Sequence, residues 1–587
     1  MSRATVRRAV KAGLLGGTAI VYLSLVGMVQ RFDSINIVED KLTFGRLLIL
    51  LPSIVAGFFM AKPRVRGGEV DRLPLRQAVT AGLLVGVLTG GLTALGIAVV
   101  HVFPDGAVRN IFSSVSPLLL SVLAFQLSTG AGVVILLLAC AAGGLIGAAL
   151  NYAPQKARRP IQVGLMGTVL LGMLQNVVRV ALTQLGVATD WLYSTRFGGL
   201  TYLGTIVALV AITSAMAAWG TRGKALRERM QNLPDEGKKP LLGLGAMVLV
   251  LVLLVLPQVL GSFLSLVLGR VGIFLLMGIG LNIVVGYAGL LDLGYVAFFA
   301  VGAYATGVLT AVGNSGSELH PGLSYVEALP IVIVIAVVAG LLIGGPVLRL
   351  RGDYLALVTL GFGEIARVLV TSDWLRPFLG GAPGLIGIPA PHIGSSTFRD
   401  PQPFYYLTLA FCAVALFVSW RLSHSRVGRA WNAMREDEQV AEAMGISTVK
   451  YKLLAFGTGA AIGSLSGSLF AVQIGSLSPA SFTILVSITA LAIVILGGMG
   501  SLPGVVLGAL VLIGLPGFLT EFQDYQLLIY GAVLVGIMIL RPQGLIPNVR
   551  RMQELQEEER AQDQWFKRTG DASADATVGV GAGTEAT

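Results

Sequence analysis

Charged residues make up only 12% of this 587-residue chain, about half the share of a soluble domain. Such scarcity excludes a soluble globular enzyme. Cysteine is almost missing. Cys140 and Cys412 each lie in an apolar run, which leaves no basis for a structural disulfide or a metal site. Four histidines, His101, His320, His392 and His424, are scattered without metal-ligand spacing. There is no Gly-x-x-x-x-Gly-Lys-Ser/Thr phosphate loop, so the chain is not expected to bind or hydrolyse ATP in the usual way. There is no His-Glu-x-x-His or Gly-x-Ser-x-Gly motif either, so an intramembrane hydrolase lacks its nucleophile or metal. A signal-peptide cleavage site is also wanting. Arg3, Arg7, Arg8 and Lys11 precede an apolar run that reads as an uncleaved first span.

What is abundant is apolar. Hydrophobic residues reach 55% and the mean hydropathy is +0.80. These values specify an all-α polytopic membrane protein surrounded by lipid. A β-barrel is disfavoured because the apolar runs are continuous and do not alternate. The 76 glycines suit close approach of helices in a bilayer. The net charge of +11 does not point to nucleic acid. The basic residues cluster in short loops between apolar spans, the positive-inside pattern.

Taken in order, six spans are expected at 10–30, 43–61, 77–101, about 131–150, 162–185 and 199–219. The segment 112–128 is broken by Pro117 and by Ser128-Thr129-Gly130. It reads as re-entrant or interfacial, because the basic loops on either side require one crossing between His101 and Pro154. Arg179 lies within an apolar stretch, where snorkelling or pairing accounts for it. Residues 221–240 form a polar cytoplasmic linker after an N-terminal membrane extension, 1–220. Ten further spans follow, at about 241–259, 262–286, 288–311, 328–348, 354–371, 404–421, 452–473, 483–499, 501–517 and 525–541, about sixteen in all. That count leaves Arg349, Arg351, the 421–435 loop, Arg541, Arg550 and Arg551 on one side, with both termini cytoplasmic. Residues 548–587 form a cytoplasmic tail whose end, rich in Gly, Ala, Asp and Thr, is expected to be disordered.

One polar stretch stands apart from the spans. Gly428 to Thr448 carries Arg429, Arg435, Glu436, Asp437, Glu438 and Glu442 between two apolar segments, so it cannot sit in hydrocarbon. Its residues favour one short helix that stops at Gly445. On a helical wheel Ala433, Met434, Val440, Ala441 and Met444 share one side, broken by Asp437. Such a helix suits docking of a soluble partner; a solvated connector is the plain alternative.

The string Arg429-Ala430-Trp431, Arg435-Glu436-Asp437-Glu438, Glu442-Ala443-Met444-Gly445-Ile446 resembles the coupling helix of ABC importer permeases, in the form found in the branched-chain amino acid permease family. Further blocks in family order extend the resemblance over roughly 260–547. They are Gly280-Leu281-Asn282 with Gly286-Tyr287-Ala288-Gly289 and Asp292-Leu293-Gly294, then Arg351-Gly352-Asp353-Tyr354 with Thr359-Leu360-Gly361-Phe362. Gly380-Gly381-Ala382-Pro383-Gly384-Leu385 and Leu496-Gly497-Gly498-Met499-Gly500-Ser501 complete them. The resemblance implies a permease core at 241–547 that pairs with a second permease subunit, two cytoplasmic phosphate-loop ATPase subunits and an extracytoplasmic solute-binding protein. No cofactor would be bound by this chain, and ATP would be used by the partner subunits. It also implies an ATPase-coupling helix made by Arg429, Arg435, Glu436, Glu438, Glu442, Ala443 and Gly445. The long N-terminal extension departs from the family.

A helix interrupted at Gly286-Tyr287-Ala288-Gly289 has freed backbone groups, which are tolerated only against protein or a water-lined cavity. The candidate translocation path is Gly286, Tyr287, Gly289, Asp292, Gly361 and Glu364. Asp292 either lines the path and attracts an ammonium group or is an end-of-helix residue held by backbone N–H groups. Glu364 and Arg367, three apart on one helix, are expected to pair inside the bundle. Gly380, Gly381 and Gly384 mark a turn-rich loop as the candidate contact for a binding protein. Within transporters the resemblance also admits urea, short amides or small carboxylates. An ion-coupled secondary transporter working alone is the competing class, but only Glu364 lies deep in a span as that mechanism would need.

Overall fold

The computed structural model describes residues 3–62, 64–66, 69–71, 74–102, 112, 114–152, 154–231, 235–312, 317–319, 321–347, 353–393, 396–519, 524–541 and 543–547. Arg349, Arg351, Gly352, Arg550, Arg551 and the 548–587 tail fall outside them. Within them the chain is helical, and its strands are two-stranded pairs in the connections. Among the described residues nine helices are long and apolar enough to cross a membrane, or ten with one bent pair, beside shorter apolar helices. The fold is all-α and polytopic. Its two compact units part at Leu260–Gly261.

The first unit runs through α1 (Arg3–Leu25), α2 (Met28–Phe32), a hairpin of β1 (Asn36–Val38) and β2 (Leu42–Thr43), and α3 (Phe44–Met60). A second hairpin, β3 (Arg64–Arg66) and β4 (Glu69–Asp71), leads into α4 (Leu75–Val102). Next come α5 (Pro117–Leu123) and α6 (Thr129–Leu150). Helix α5 is capped by Ser116, whose Oγ accepts the Leu119 N–H at 3.1 Å, and ends where Phe125 and Gln126 turn left-handed. Seven residues cannot cross a bilayer, whereas the 22 of α6 can. Helix α6 packs between α3 and α4, where Gly144 lies against Gly57 and Gly82.

The expected span 162–185 is not one straight helix. It is two helices, α7 (Gln155–Met173) and α8 (Gln175–Gln184), bent by 77°. The cause is polar. The Arg179 guanidinium donates to the Ser194 carbonyl at 3.1 Å, and the Gln175 carboxamide oxygen accepts the Gly199 N–H. Those bonds draw α8 toward the 194–199 loop. Helix α9 (Tyr202–Gln231) follows, and α10 (Asp235–Leu281) begins four residues later. The polar stretch 221–240 therefore extends two helices, with residues 232–234 outside the described set. The break in α10 comes further on, at Gly261, with φ 75° and ψ −175°.

The second unit starts at that break. Helix α10 ends in a π-helical turn, Asn282–Tyr287, and α11 covers Val296–Thr310. The expected span 288–311 is thus shortened, because residues 288–295 are not helical. Helices α12 (Tyr325–Val347), α13 (Asp353–Thr371) and α14 (Arg376–Leu379) precede the strands β5 (Leu385–Ile386), β6 (His392–Ile393) and β7 (Ser396–Thr397). Helices α15 (Pro401–Ser423), α16 (Arg426–Glu436), α17 (Glu438–Ala443) and α18 (Thr448–Ile474) lead to β8 (Ser476–Leu477), which pairs antiparallel with β5. Helices α19 (Ile484–Gly497), α20 (Leu502–Ala509), α21 (Leu515–Phe518) and α22 (Gln526–Leu540) complete the unit.

Helix α18 is its axis, with α11 and α12 packed along it. In lipid, packing and interhelical hydrogen bonds hold helices together in place of the hydrophobic effect. Phe299 meets Phe470 and Phe482 at ring separations of 5.1 and 5.6 Å. The Thr306 hydroxyl donates to Ser468 Oγ at 2.8 Å, Ser468 to Tyr325 Oη at 3.2 Å, and Tyr295 to the Gly459 carbonyl at 2.6 Å. At the α11–α18 crossing a Cβ on Gly467 would overlap the Phe299 carbonyl oxygen. Gly467→Ala is expected to cost about 1–3 kcal/mol by overpacking and to lower the melting temperature of the purified protein. Gly361→Ala is the control, because a Cβ there meets nothing within 4 Å.

Candidate functional site

The polar stretch after α15 is two helices, which corrects the expected single one. Ser425 caps α16, its Oγ accepting the Val427 N–H at 3.1 Å. At the other end Asp437 takes an extended conformation, φ −150° and ψ 112°. Its Oδ1 accepts the N–H groups of Gln439 and Val440 at 2.8 and 3.0 Å. The same residue thus ends α16 and caps α17, and the helical phase does not carry across it. That is why the wheel fails past Asp437. Ala433, Met434, Val440, Ala441 and Met444 do not share one side: Met434 and Ala441 are buried, whereas Val440 and Met444 stand 58% and 79% exposed. Gly445, at φ 86°, closes α17; its glycine is required by the backbone, since a Cβ would meet nothing.

The seven residues expected to make a coupling helix divide into two groups. Arg429, Glu436, Glu442, Ala443 and Gly445 are exposed, beside Val440 and Met444. Arg435 and Glu438 turn inward. Glu438 Oε1 accepts from Lys452 Nζ at 2.6 Å, and Lys452 is buried at the start of α18. Trp431, fully buried, donates its indole N–H to the Tyr451 carbonyl at 2.8 Å. Arg435 Nη1 donates to the carbonyl of Gly286, in the π-helical turn.

That turn and the loop after it have the backbone groups that a broken helix frees, and their partners come from distant elements. The Leu293 N–H donates to Thr359 Oγ1 of α13 at 3.0 Å, and the Val296 N–H to Ser487 Oγ of α19 at 2.8 Å. Gly294 N–H donates to Asp292 Oδ1 at 2.9 Å. Asn282 Oδ1 accepts the Gly500 N–H at 2.8 Å and lies where a Cβ on Gly286 would stand. Gly289, at φ 73°, leaves room for Arg435; a Cβ there would lie 2.7 Å from Arg435 Cγ and 3.0 Å from its Cβ.

The six residues of the expected path do not share one surface. Tyr287 and Asp292 are buried, and Gly286 and Gly289 seat Arg435. Asp292 is only 2% exposed, and its Oδ1 is held by a neighbouring backbone N–H. Gly361 and Glu364 lie on the open face of α13 with Leu357. The pairing of Glu364 with Arg367 is present, Nε to Oε1 at 3.0 Å, but its interior placement is corrected: the two side chains are 50% and 38% exposed. Apolar neighbours Leu355, Ala356 and Val370 take the inward face instead. Gly380, Gly381 and Gly384 are buried under the turn, so the exposed tip of that loop is Ala382-Pro383. Positive φ at all three glycines shapes the turn that β5 pins to β8.

Sequence reasoning missed Thr359 and Ser487 as anchors of the break, and Lys452 as the mate of Glu438. Lys452, the second lysine of Lys450-Tyr451-Lys452 at the start of an apolar span, was the available signal for the last. Removing one partner of a buried ion pair leaves the other uncompensated. Glu438→Ala, which strands Lys452, should therefore lower the melting temperature more than Lys452→Met, which leaves Glu438 free to turn toward solvent.

The profile of the family described as "Branched-chain amino acid transport system / permease component" matches residues 263–539, starting just past the Gly261 break. The "High-affinity branched-chain amino acid transport system permease protein LivM" of Escherichia coli (strain K12) is 42% identical over 301 residues, 47% of this chain and 68% of that protein. The "Probable branched-chain amino acid transport permease protein LivM" of Methanocaldococcus jannaschii is 25% identical, over 49% of this chain and 94% of its own length. The permease protein LivH of Salmonella typhimurium is also 25% identical, over 48% and 93%. No solved structure matches.

Proposed function

The chain belongs to the permease-component family of branched-chain amino acid transport systems, and we propose that it works as the membrane-spanning subunit of an ATP-driven importer of those amino acids. The observation that carries the reading is the α16–α17 pair. It is polar, lies between two apolar spans, and holds Arg429, Glu436, Val440, Glu442, Ala443, Met444 and Gly445 outward while its inner face is fixed to α18. An exposed apolar tip rimmed by charge suits a protein groove. The partners are two cytoplasmic phosphate-loop ATPases, which use the ATP, a second permease subunit and an extracytoplasmic solute-binding protein that meets Ala382-Pro383. The positive-inside pattern of the basic loops supports a cytoplasmic side for α16–α17 and both termini. Residues 241–547 make the permease core, joined by 221–240 to an N-terminal membrane extension at 1–220, with 548–587 as a cytoplasmic tail.

The open face of α13 supports a subunit boundary. Glu364 and Arg367 lie within the span Tyr354–Thr371 and are about half exposed. Charges at that depth are not left in hydrocarbon. The face bearing Leu357, Gly361 and Glu364 therefore meets the second permease or the water-lined path between the two. On this reading Glu364 and Gly361 border the path, whereas Asp292 stabilises the break from behind.

Uptake of radiolabelled leucine into vesicles, with the ATPases captured from the same membranes, tests the reading. The double variant Glu442→Ala, Gly445→Ala should insert normally, capture less ATPase, and lose about ten-fold in uptake, the effect of losing about 1.4 kcal/mol at the contact. Normal capture and normal uptake by that variant would overturn the docking assignment.

A further inference from the structure

We infer that Arg435 is the strut through which movement of the α16–α17 pair reaches the broken helix at 282–295, a role that rests on the importer reading above. Arg435 and Arg429 lie on the same short helix, yet they face opposite ways. Arg429 is exposed, while Arg435 is half-buried and reaches the π-helical turn. Its guanidinium donates to the Gly286 carbonyl, and its Cβ and Cγ fill the space that Gly289 leaves open. The contact is thus both a charge-assisted hydrogen bond and a steric fit.

The other two inward bonds of the pair, Trp431 to Tyr451 and Glu438 to Lys452, both end on the first residues of α18. They fasten the pair to the axis of the unit. Arg435 instead ends on the segment where regular helix gives way, and that segment is tied onward. Asn282 Oδ1, packed beside Gly286, holds the Gly500 N–H in the turn between α19 and α20. Movement of α16 would therefore reach the broken helix and, through Asn282, the α19–α20 turn. A planar guanidinium held on both its stem and its head transmits such movement; a lysine ammonium on a flexible stem does not. Gly289 is the matching hole. Arg435 is a positioning residue and need not touch the transported solute.

The test uses the assembled transporter in proteoliposomes: this chain with its ATPases, second permease and binding protein. Two quantities are read, leucine imported per ATP hydrolysed, and hydrogen exchange of the 288–295 amides with and without ATP. Arg435→Met is expected to keep hydrolysing ATP while uptake per ATP falls at least ten-fold, and the ATP-dependent change in exchange at 288–295 should vanish. Arg435→Lys should recover only part of the uptake. Gly289→Ala, which keeps the charge but fills the hole, should reproduce the loss, and the double variant should be no worse than Arg435→Met alone. Wild-type uptake per ATP in Arg435→Met, or an unchanged exchange response, would overturn the strut. A purely structural role, which also overturns it, would raise exchange in both states and lower hydrolysis and uptake together. Should Arg435→Met not assemble, Gly289→Ala decides on the same two readouts. Absence of ATP-driven uptake by the wild-type assembly would overturn the importer reading and the strut with it; failure confined to the variants overturns the strut alone.

Discussion

A helix broken inside a membrane protein must find a partner for every backbone group it frees, because hydrocarbon supplies none. The second unit is arranged around that constraint. Between Asn282 and Val296 the freed groups are met by Arg435 from α16, Thr359 from α13 and Ser487 from α19, together with Asp292 within the loop. Three helices remote in sequence thus converge on the turn, the eight-residue loop after it and the first residue of α11. The break cannot move without disturbing them, and they cannot move without disturbing the break. This is the physical reason an irregular segment can couple distant parts of the unit rather than merely weaken it.

Two kinds of contact divide the work. Helices α11, α12 and α18 meet through glycine and small hydroxyl side chains, with Gly467 against the Phe299 carbonyl and Thr306 bonded to Ser468. Such close-packed surfaces do not deform by degrees. The α16–α17 pair buries Trp431, Met434 and Ala441 and adds polar bonds from Trp431, Arg435 and Glu438. Hydrogen bonds to charged groups contribute roughly 1.5–3 kcal/mol each. The bonds of Arg435 and Glu438 are of that kind, and a bond of that size lies within reach of a ligand with modest differential affinity.

The sequence made the large features legible because they rest on local signals. Span positions follow from continuous apolar runs, and the short α5 before α6 follows from Pro117 and the charge balance of the neighbouring loops. The interruption at Gly286–Gly289 was visible in its glycines, and the polar stretch at 428–448 in its charges. What was not legible depended on orientation. Asp437 favours both a helix interior by charge pattern and a cap by hydrogen bonding, and the cap won, turning Val440 and Met444 outward. The bend at Met173–Gln175 needed knowledge that Arg179 would find the Ser194 carbonyl. The contact of Arg435 with Gly286 joins residues 149 positions apart, which no local pattern encodes.

Glu364 and Arg367 make the same point from the other side. Spacing alone gives their pairing, since residues three apart on a helix are neighbours. It does not give the face. An ion pair buried in the bundle would need further hydrogen bonds to offset its desolvation, and the inward face of α13 has little to offer. Leu355, Ala356 and Val370 are apolar, and Thr359 is committed to the Leu293 N–H and the Ala356 carbonyl. The pair therefore takes the open face, where it makes α13 unsuitable for lipid over the turns that carry it. A span with one face packed on its own unit and the other bearing charge is completed only by a further surface. On the importer reading proposed above, that surface is the second permease or the path beside it.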